Sequence, residues 1–383
     1  MTRRIALITE IIAPYRIPVF NALARQTGVD LHVIFLAETD AALRKWRIYG
    51  DEIRFSYEVL SSWRLRTGKH SLLFNRGLRS ALMAANPDAV ICGGYNYPAS
   101  WGSLRWARGH NVRFVLWSES NQRDKRAGNA AVEYLKRCFA RECSSFVVPG
   151  KSSFAYLRNL GVDEQVIFTA PNAVDNRFFA AHADLARATA AEQRRKWALP
   201  QRFVLCGARL VAEKGIFDLL EAYSKLEKVV RSNVGLVFAG DGPARAKLVR
   251  LAQNIRPGTV CFPGFVQREE LAILYALSEA LVLPTHSDPW GLVVNEAMAC
   301  GLPIVVTNVA GCSADLVEDG GNGYIVPPGN PERLKAALDS LIKSPELRRQ
   351  MSVRSTERIR EYSPEACAAG LAAAALSAAR QAR

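Results

Sequence analysis

Short apolar runs alternate with stretches of helical period along this chain, and the pattern runs through twice. In the first half the runs are "IALIT" (5–9), "LHVIFL" (31–36), "AVICG" (89–93), "RFVLWS" (113–118), "SFVVPG" (145–150) and "VIFTA" (166–170). Between them "IPVFNALARQ", "SLLFNRGLRSALMAA", "PASWGSLRWARG" and "SSFAYLRNLG" carry apolar residues at helical spacing. A polar, charged stretch at 177–200 interrupts the pattern, which restarts with "RFVLCG" (202–207), "VGLVFAG" (234–240), "TVCFPG" (259–264), "EALVLP" (279–284) and "PIVVT" (303–307). Strands that are apolar throughout and separated by helices belong to parallel sheets covered on both faces. The expected class is therefore α/β, with two tandem Rossmann-like domains whose parallel sheets face a central cleft. A length of 383 residues agrees, since it exceeds what one core comfortably serves. The expected division is 1–176, a connection at 177–200, 201–362, and a C-terminal helix at 363–383 packing back on the body. Ligands in such folds sit at the carboxyl ends of the strands. No G-x-G-x-x-G opens either half, so a dinucleotide is not indicated.

The opening "MTRRIALITEIIAPYR" is basic, but Glu10 interrupts its apolar run and Pro14 ends it, so it reads as a first strand and not as a signal peptide. No run approaches the ~20 apolar residues of a spanning helix. The eight cysteines show no C-x-x-C pair and no zinc spacing, which fits reduced thiols in a cytoplasmic protein. Net charge is +14, and residues 1–190 hold 26 Lys and Arg against 16 Asp and Glu, which places the excess in the first half and points to an anionic partner there. No stacking aromatics or nucleic-acid motif accompany it, so no nucleic acid is expected.

Three loops at strand ends carry the chemistry of the second half. "GARLVAEKG" (207–215) brings Arg209 and Lys214 behind a buried strand, with Gly207 and Gly215 letting the backbone approach a ligand closely. Two cations among glycines suit a diphosphate, although such a loop by itself is more often merely solvated. "AGDGPAR" (239–245), with Gly240, is a tight turn opening a helix. In "THSDPWGLVVNEAMACGLPIVVT" (285–307) a helix begins near Gly291 and Leu292, whose N–H groups can hold a phosphate. Asp288 stands ahead of that helix and Glu296 beside its second turn. Eight positions at 1.5 Å each span roughly 12 Å or less, about the reach from sugar to ribose in a nucleotide sugar. Asp288 then takes sugar hydroxyls and Glu296 ribose hydroxyls. Taken alone, the two acids are equally a helix with an acidic start and one solvated Glu.

These motifs, followed in order by "VCFPGFVQREELAILYALSEALVLPTHSDPWGLVVNEAMACGLPIVVTNVAGCSADLVEDGGNGYIVPPGNPERL", resemble the retaining family 4 glycosyltransferases of the GT-B fold. The resemblance implies that Arg209 and Lys214 bind the donor diphosphate, and that Asp288 and Glu296 are the family's two acids. It also implies that Gly291 and Leu292 offer N–H groups to phosphate and that the main chain at Phe265 and Val266 lies against the base. Asp288 stands where the family usually has Glu, and Asp315 likewise, which bears on which sugar fits. The implied activity is a metal-independent hexosyltransferase that uses a nucleotide sugar and no cofactor. The absence of any D-x-D triad agrees. A binding protein without turnover and a phosphorylase on the same fold are the alternatives.

The first half resembles the family less. Arg16, in "EIIAPYR", meets a phosphate or caps a helix start. Glu119, ending "RFVLWSE", orients the acceptor hydroxyl or donor sugar, or holds a structural hydrogen bond. Tyr95, in "ICGGYNY", forms an acceptor wall. His286 reads as support for Asp288 rather than as a catalyst. The basic segment "SWRLRTGKHSLLFNRGLRSAL" (62–82) suits an anionic membrane surface or a pyrophosphate-linked lipid, or is a helix with a solvated basic face. The expected acceptor is a glycan or lipid-linked precursor of a surface polysaccharide, met on the inner face of the membrane.

Overall fold

The computed structural model describes residues 2–40, 44–67, 70–121, 130–255 and 259–377. It divides into two compact units, Met1–Val174 with Ser363–Arg383, and Asp175–Tyr362. In the first, strands Arg3–Thr9 (β1), Val29–Phe35 (β2), Ser56–Val59 (β3), Ala89–Gly93 (β6), Arg113–Trp117 (β7), Ser145–Val148 (β8) and Ile167–Thr169 (β9) form one parallel sheet in the order β3-β2-β1-β6-β7-β8-β9. Strands Ser62–Thr67 (β4) and His70–Asn75 (β5) make a separate antiparallel hairpin. Side chains alternate across the sheet, so the apolar runs divide between two cores. Leu7, Val33, Ile91, Val115 and Val147 enter one; Ile8, Ile34, Val90, Leu116 and Phe146 enter the other.

The helix Pro364–Leu376 completes the first of these cores with Cys367, Leu371 and Ala374. Ser363 caps its start by accepting from Ala366 N at 3.1 Å. Gly370 packs so tightly on β9 that an added Cβ would collide with Thr169 O. The rest of the expected tail, 378–383, lies outside the described residues.

The second unit holds Phe203–Gly207 (β10), Gly235–Ala239 (β11), Val260–Gly264 (β12), Leu281–Leu283 (β13), Ile304–Thr307 (β14) and Gly323–Val326 (β15). All pair in parallel, in the order β12-β11-β10-β13-β14-β15. After β10 the chain builds outward through β11 and β12, then returns to add β13 on the other side. Strand order thus reverses between β10 and β13, and ligands in such sheets sit at the carboxyl ends of the strands beside that reversal. The polar stretch 177–200 folds within this unit, mostly as helices Asn176–Ala188 and Ala190–Lys196. The first is capped by Asp175, which accepts from Phe178 N at 2.9 Å, and it buries Phe179, Ala183 and Ala186.

One expectation is corrected. "SLLFNRGLRSALMAA" is helical only over Leu78–Ala85; its beginning is β5. The apolar trio Leu72, Leu73 and Phe74 fits either period, but in the structure it alternates, with Leu73 fully buried and its neighbours exposed. Gly77, at φ +86°, separates strand from helix. A solvated basic helix over 62–82 is accordingly absent, and Gly68 and Lys69 lie outside the described residues. Strands β3 and β15 were not legible as apolar runs. Among the described residues no helix is long and apolar enough to cross a membrane.

Candidate functional site

The three loops of the second unit are locked together by main-chain contacts that only glycine permits. A Cβ on Gly240 would collide with Ala208 O, one on Gly242 with Leu210 O, and one on Gly215 with Pro284 O. Hydrogen bonds follow the same seams: Leu210 N to Asp241 O (2.9 Å), Ala244 N to Leu210 O (3.0 Å) and His286 N to Glu213 O (2.8 Å). Buried Thr285 adds a hydroxyl donated to Ser287 O at 2.8 Å, and Thr307 donates to Thr285 O at 2.6 Å.

This clamp brings Lys214, from the loop after β10, to Asp288, from the loop after β13. Lys214 Nζ donates to Asp288 Oδ2 at 2.6 Å and to Ser287 O at 3.3 Å. The other carboxylate oxygen, Oδ1, accepts from Trp290 N at 3.2 Å. Asp288 is thereby fixed at both oxygens ahead of the helix Leu292–Ala299. A shorter acid suits this turn, since its carboxylate reaches the amide two residues on. Gly291 takes the left-handed conformation at φ +99°, and a Cβ there would approach Leu283 Cδ2 at 2.7 Å. Among the described residues the N–H groups of Leu292 and Val293 have no acceptor, as the geometry of a helix start dictates. Arg209 is exposed and has no ion-pair partner among the described residues. The Lys214 ammonium, the free amides and the positive end of the helix are together suited to an anion.

Glu296 lies one helical turn further in. Its Oε2 accepts from the hydroxyl of Tyr275 at 2.7 Å. Burial pushes the carboxyl up to about 7, and the Tyr275 bond pulls it back only in part. Tyr275 was missed in the sequence because a buried tyrosine in an apolar helix face reads as core. The available signal was its hydroxyl, which needs a partner when fully buried. Gly207 sits over this pair: a Cβ there would lie 3.6 Å from the Tyr275 hydroxyl and 4.0 Å from Val293 Cγ1.

A carboxylate that accepts ligand hydroxyls must be ionised to do so at full strength. Below pH 7 Glu296 is increasingly protonated, so affinity for a ribose-bearing ligand is expected to rise from pH 6 to pH 8, by about threefold to tenfold. Titration calorimetry across that range checks this. Tyr275→Phe removes the group that lowers the pKa and should move the midpoint upward; Glu296→Gln should flatten the profile. Stability runs the opposite way. Glu296 binds its proton more tightly folded than unfolded, so its contribution falls as pH rises from about 4.5 to about 7.

Phe265 follows β12 and is 40% exposed, while Val266 is buried. Gly264 O accepts from Gly240 N at 2.7 Å, which ties this turn to the glycine loop. His286 Nε2 lies 2.8 Å from Asp218 Oδ2 and so faces the helix Ile216–Ser224.

In the first unit, Arg16 and Glu119 meet each other. The Arg16 guanidinium pairs with Glu119 Oε1, donates to Asn172 Oδ1 at 3.1 Å and lies over the Trp117 ring at 4.1 Å. Its side chain makes no cap at the helix start. Tyr95 Oη and Ser120 Oγ share a hydrogen bond at 2.7 Å. These residues follow β1, β6 and β7, which are neighbours in the sheet, so one end of the first unit gathers all of them. Among the described residues no group of His, Cys, Asp and Glu is arranged to hold a metal ion.

Two family models match the chain: glycosyl transferases group 1 over residues 189–358, and glycosyltransferase family 4 over residues 20–178. The alpha-D-kanosaminyltransferase of Streptomyces kanamyceticus is 36% identical over 165 residues, which is 42% of each chain. A GDP-mannose-dependent alpha-(1-6)-phosphatidylinositol dimannoside mannosyltransferase of Mycobacterium tuberculosis is 28% identical over 302 residues, 76% of this chain and 75% of that one. The match thus spans about two fifths of the first relative's length and three quarters of the second's. Among solved structures, Anabaena HepE in complex with UDP and glucose aligns over 97% of this chain and 98% of its own, with TM-score 0.73 and 16% identity. WaaG, a glycosyltransferase involved in lipopolysaccharide biosynthesis, aligns over 97% and 100%, with TM-score 0.67 and 14% identity.

Proposed function

The chain belongs to the family 4 glycosyltransferases of the GT-B fold, and from that premise we propose that it moves a hexosyl group, with retention, from a nucleotide-diphosphate sugar to an acceptor hydroxyl. The observation that carries this reading is the Lys214–Asp288 contact beside the unpaired N–H groups of the helix start at Leu292. A diphosphate placed there meets Lys214, Arg209 and the helix N–H groups, which stabilise the charge that develops on the leaving phosphate. Asp288 accepts from the sugar hydroxyls, Glu296 from the ribose, and the main chain at Phe265 and Val266 faces the base. With these cations in place the diphosphate needs no metal. Retention follows if the acceptor attacks on the face the phosphate leaves, with a phosphate oxygen taking the hydroxyl proton. No protein nucleophile is invoked.

In the first unit we assign Glu119 to orienting the acceptor, with Arg16 and Tyr95 fixing its surroundings. The acceptor is a lipid-linked or surface-polysaccharide precursor met at the inner face of the membrane. The lipid acceptor named for the mycobacterial relative supports that choice.

The test is transfer from a panel that includes GDP-mannose and UDP-glucose, assayed in EDTA, with product configuration read by NMR. An unchanged anomeric configuration and a rate indifferent to EDTA are the expected results. An inverted product, or activity restored only by a divalent cation, would overturn the corresponding part. Turnover of a sugar phosphate in place of any nucleotide sugar would make the protein a phosphorylase, and binding without turnover would make it a binding protein.

A further inference from the structure

We propose that the outer face of the β4–β5 hairpin docks the protein on an anionic lipid bilayer. This rests on the membrane location assigned above and names the surface responsible. Pairing sets Trp63 opposite Phe74 and Leu65 opposite Leu72, so all four side chains share one face. They are 64%, 40%, 42% and 41% exposed respectively, and the Trp63 and Phe74 rings stack at 5.9 Å. The opposite face is anchored to the body. Leu73 is fully buried there, and Arg64 pairs with Glu10 at 3.1 Å and Asp40 at 3.0 Å.

A two-stranded ribbon with one face on the core ordinarily turns polar residues to water. Here the order is reversed: an arginine is drawn inward, and tryptophan, phenylalanine and two leucines are held out on a rigid support. Indole and phenyl groups of this kind partition into the headgroup boundary of a bilayer.

Charge identifies the occupant. Arg76 lies two residues beyond Phe74, on the same side of the ladder, which its N–H extends by a 3.0 Å bond to Ser61 O. Arg76 and Arg79 are exposed and have no ion-pair partner among the described residues. The first 190 residues carry the larger share of the +14 charge. Cations flanking an apolar wedge match anionic headgroups above acyl chains. A second copy would bring like charges together, and four side chains fall short of the ~800 Å² per partner that a stable dimer buries.

Flotation of the full chain with phosphatidylcholine vesicles, with and without phosphatidylglycerol, tests the proposal. The wild type should float with the anionic vesicles, much less with neutral ones, and less as salt rises. Trp63→Ser with Phe74→Ser should lower partitioning by about tenfold or more. Arg76→Glu with Arg79→Glu should remove the preference for phosphatidylglycerol. Leu185→Ser, an equally exposed apolar position in the second unit, should change nothing. Thermal stabilisation by nucleoside diphosphates reports on the second unit separately, so loss of flotation alone counts against the hairpin and not against the donor site. Failure of the wild type to float with anionic vesicles would overturn the proposal. So would unaltered flotation of the hairpin variant, or a wild-type dimer that the variant dissolves.

Discussion

Lys214→Ala is expected to remove nearly all stabilisation by nucleoside diphosphates and their sugars. The wild-type ammonium is held at 2.6 Å from Asp288, beside the helix start, where it can reach a phosphate without reorganising the loop. A charge-assisted contact of this kind contributes about 2–4 kcal/mol, so the affinity should fall by about 30-fold to 1000-fold. At a ligand concentration of about 100 Kd the wild type gains about 2.7 kcal/mol of stability, and a hundredfold weaker variant gains about 0.4 kcal/mol. The unliganded variant should still fold, losing only about 1 kcal/mol, because Asp288 keeps its bond from Trp290 N and is partly hydrated. Lys214→Arg should rescue poorly, since a planar fork does not reproduce a point charge in so short a reach. Thermal unfolding with and without ligand separates the two quantities. A midpoint shift that survives in Lys214→Ala would remove the diphosphate from this loop.

The largest stability loss is expected from Gly215→Ala. Gly215 has φ +65°, which costs an alanine about 1–2 kcal/mol by itself. The added Cβ would also collide with Pro284 O, a main-chain atom that cannot rotate aside. Relief requires the loop after β10 to part from the loop after β13, breaking the bond that His286 N–H donates to Glu213 O. The total should exceed about 4 kcal/mol. Gly320→Ala is the matched control, with φ +74° and open space around the added Cβ, and should cost only the backbone part. Denaturant unfolding of both variants measures the difference. Equal losses would mean that the clamp does not hold the loops together.

Much of this molecule was legible locally. Continuous apolar runs predicted buried parallel strands because a strand covered on both faces has no polar side to show. Glycines at strand ends predicted loops of close backbone approach, and Gly215 and Gly240 do lie against main-chain oxygens of neighbouring loops. The hairpin was not legible, since Leu72, Leu73 and Phe74 satisfy either period until a partner strand selects one. Arg16 and Glu119 were each placed at a strand end, but their mutual pairing across 103 positions was invisible.

The amino-acid sequence by itself determined the alternation of strands and helices, the two-unit architecture, and the placing of Arg209, Lys214, Asp288 and Glu296 in the loops after strands and the helix that follows, because each depends on neighbours a few residues away. The tertiary structure alone decided that Lys214 meets Asp288, that Tyr275 supports Glu296, that Arg64 faces inward while Trp63 faces out, and that the final helix completes the first core. Each of these depends on which strands become neighbours, and strand order is set by the summed packing of both sheet faces rather than by any local pattern.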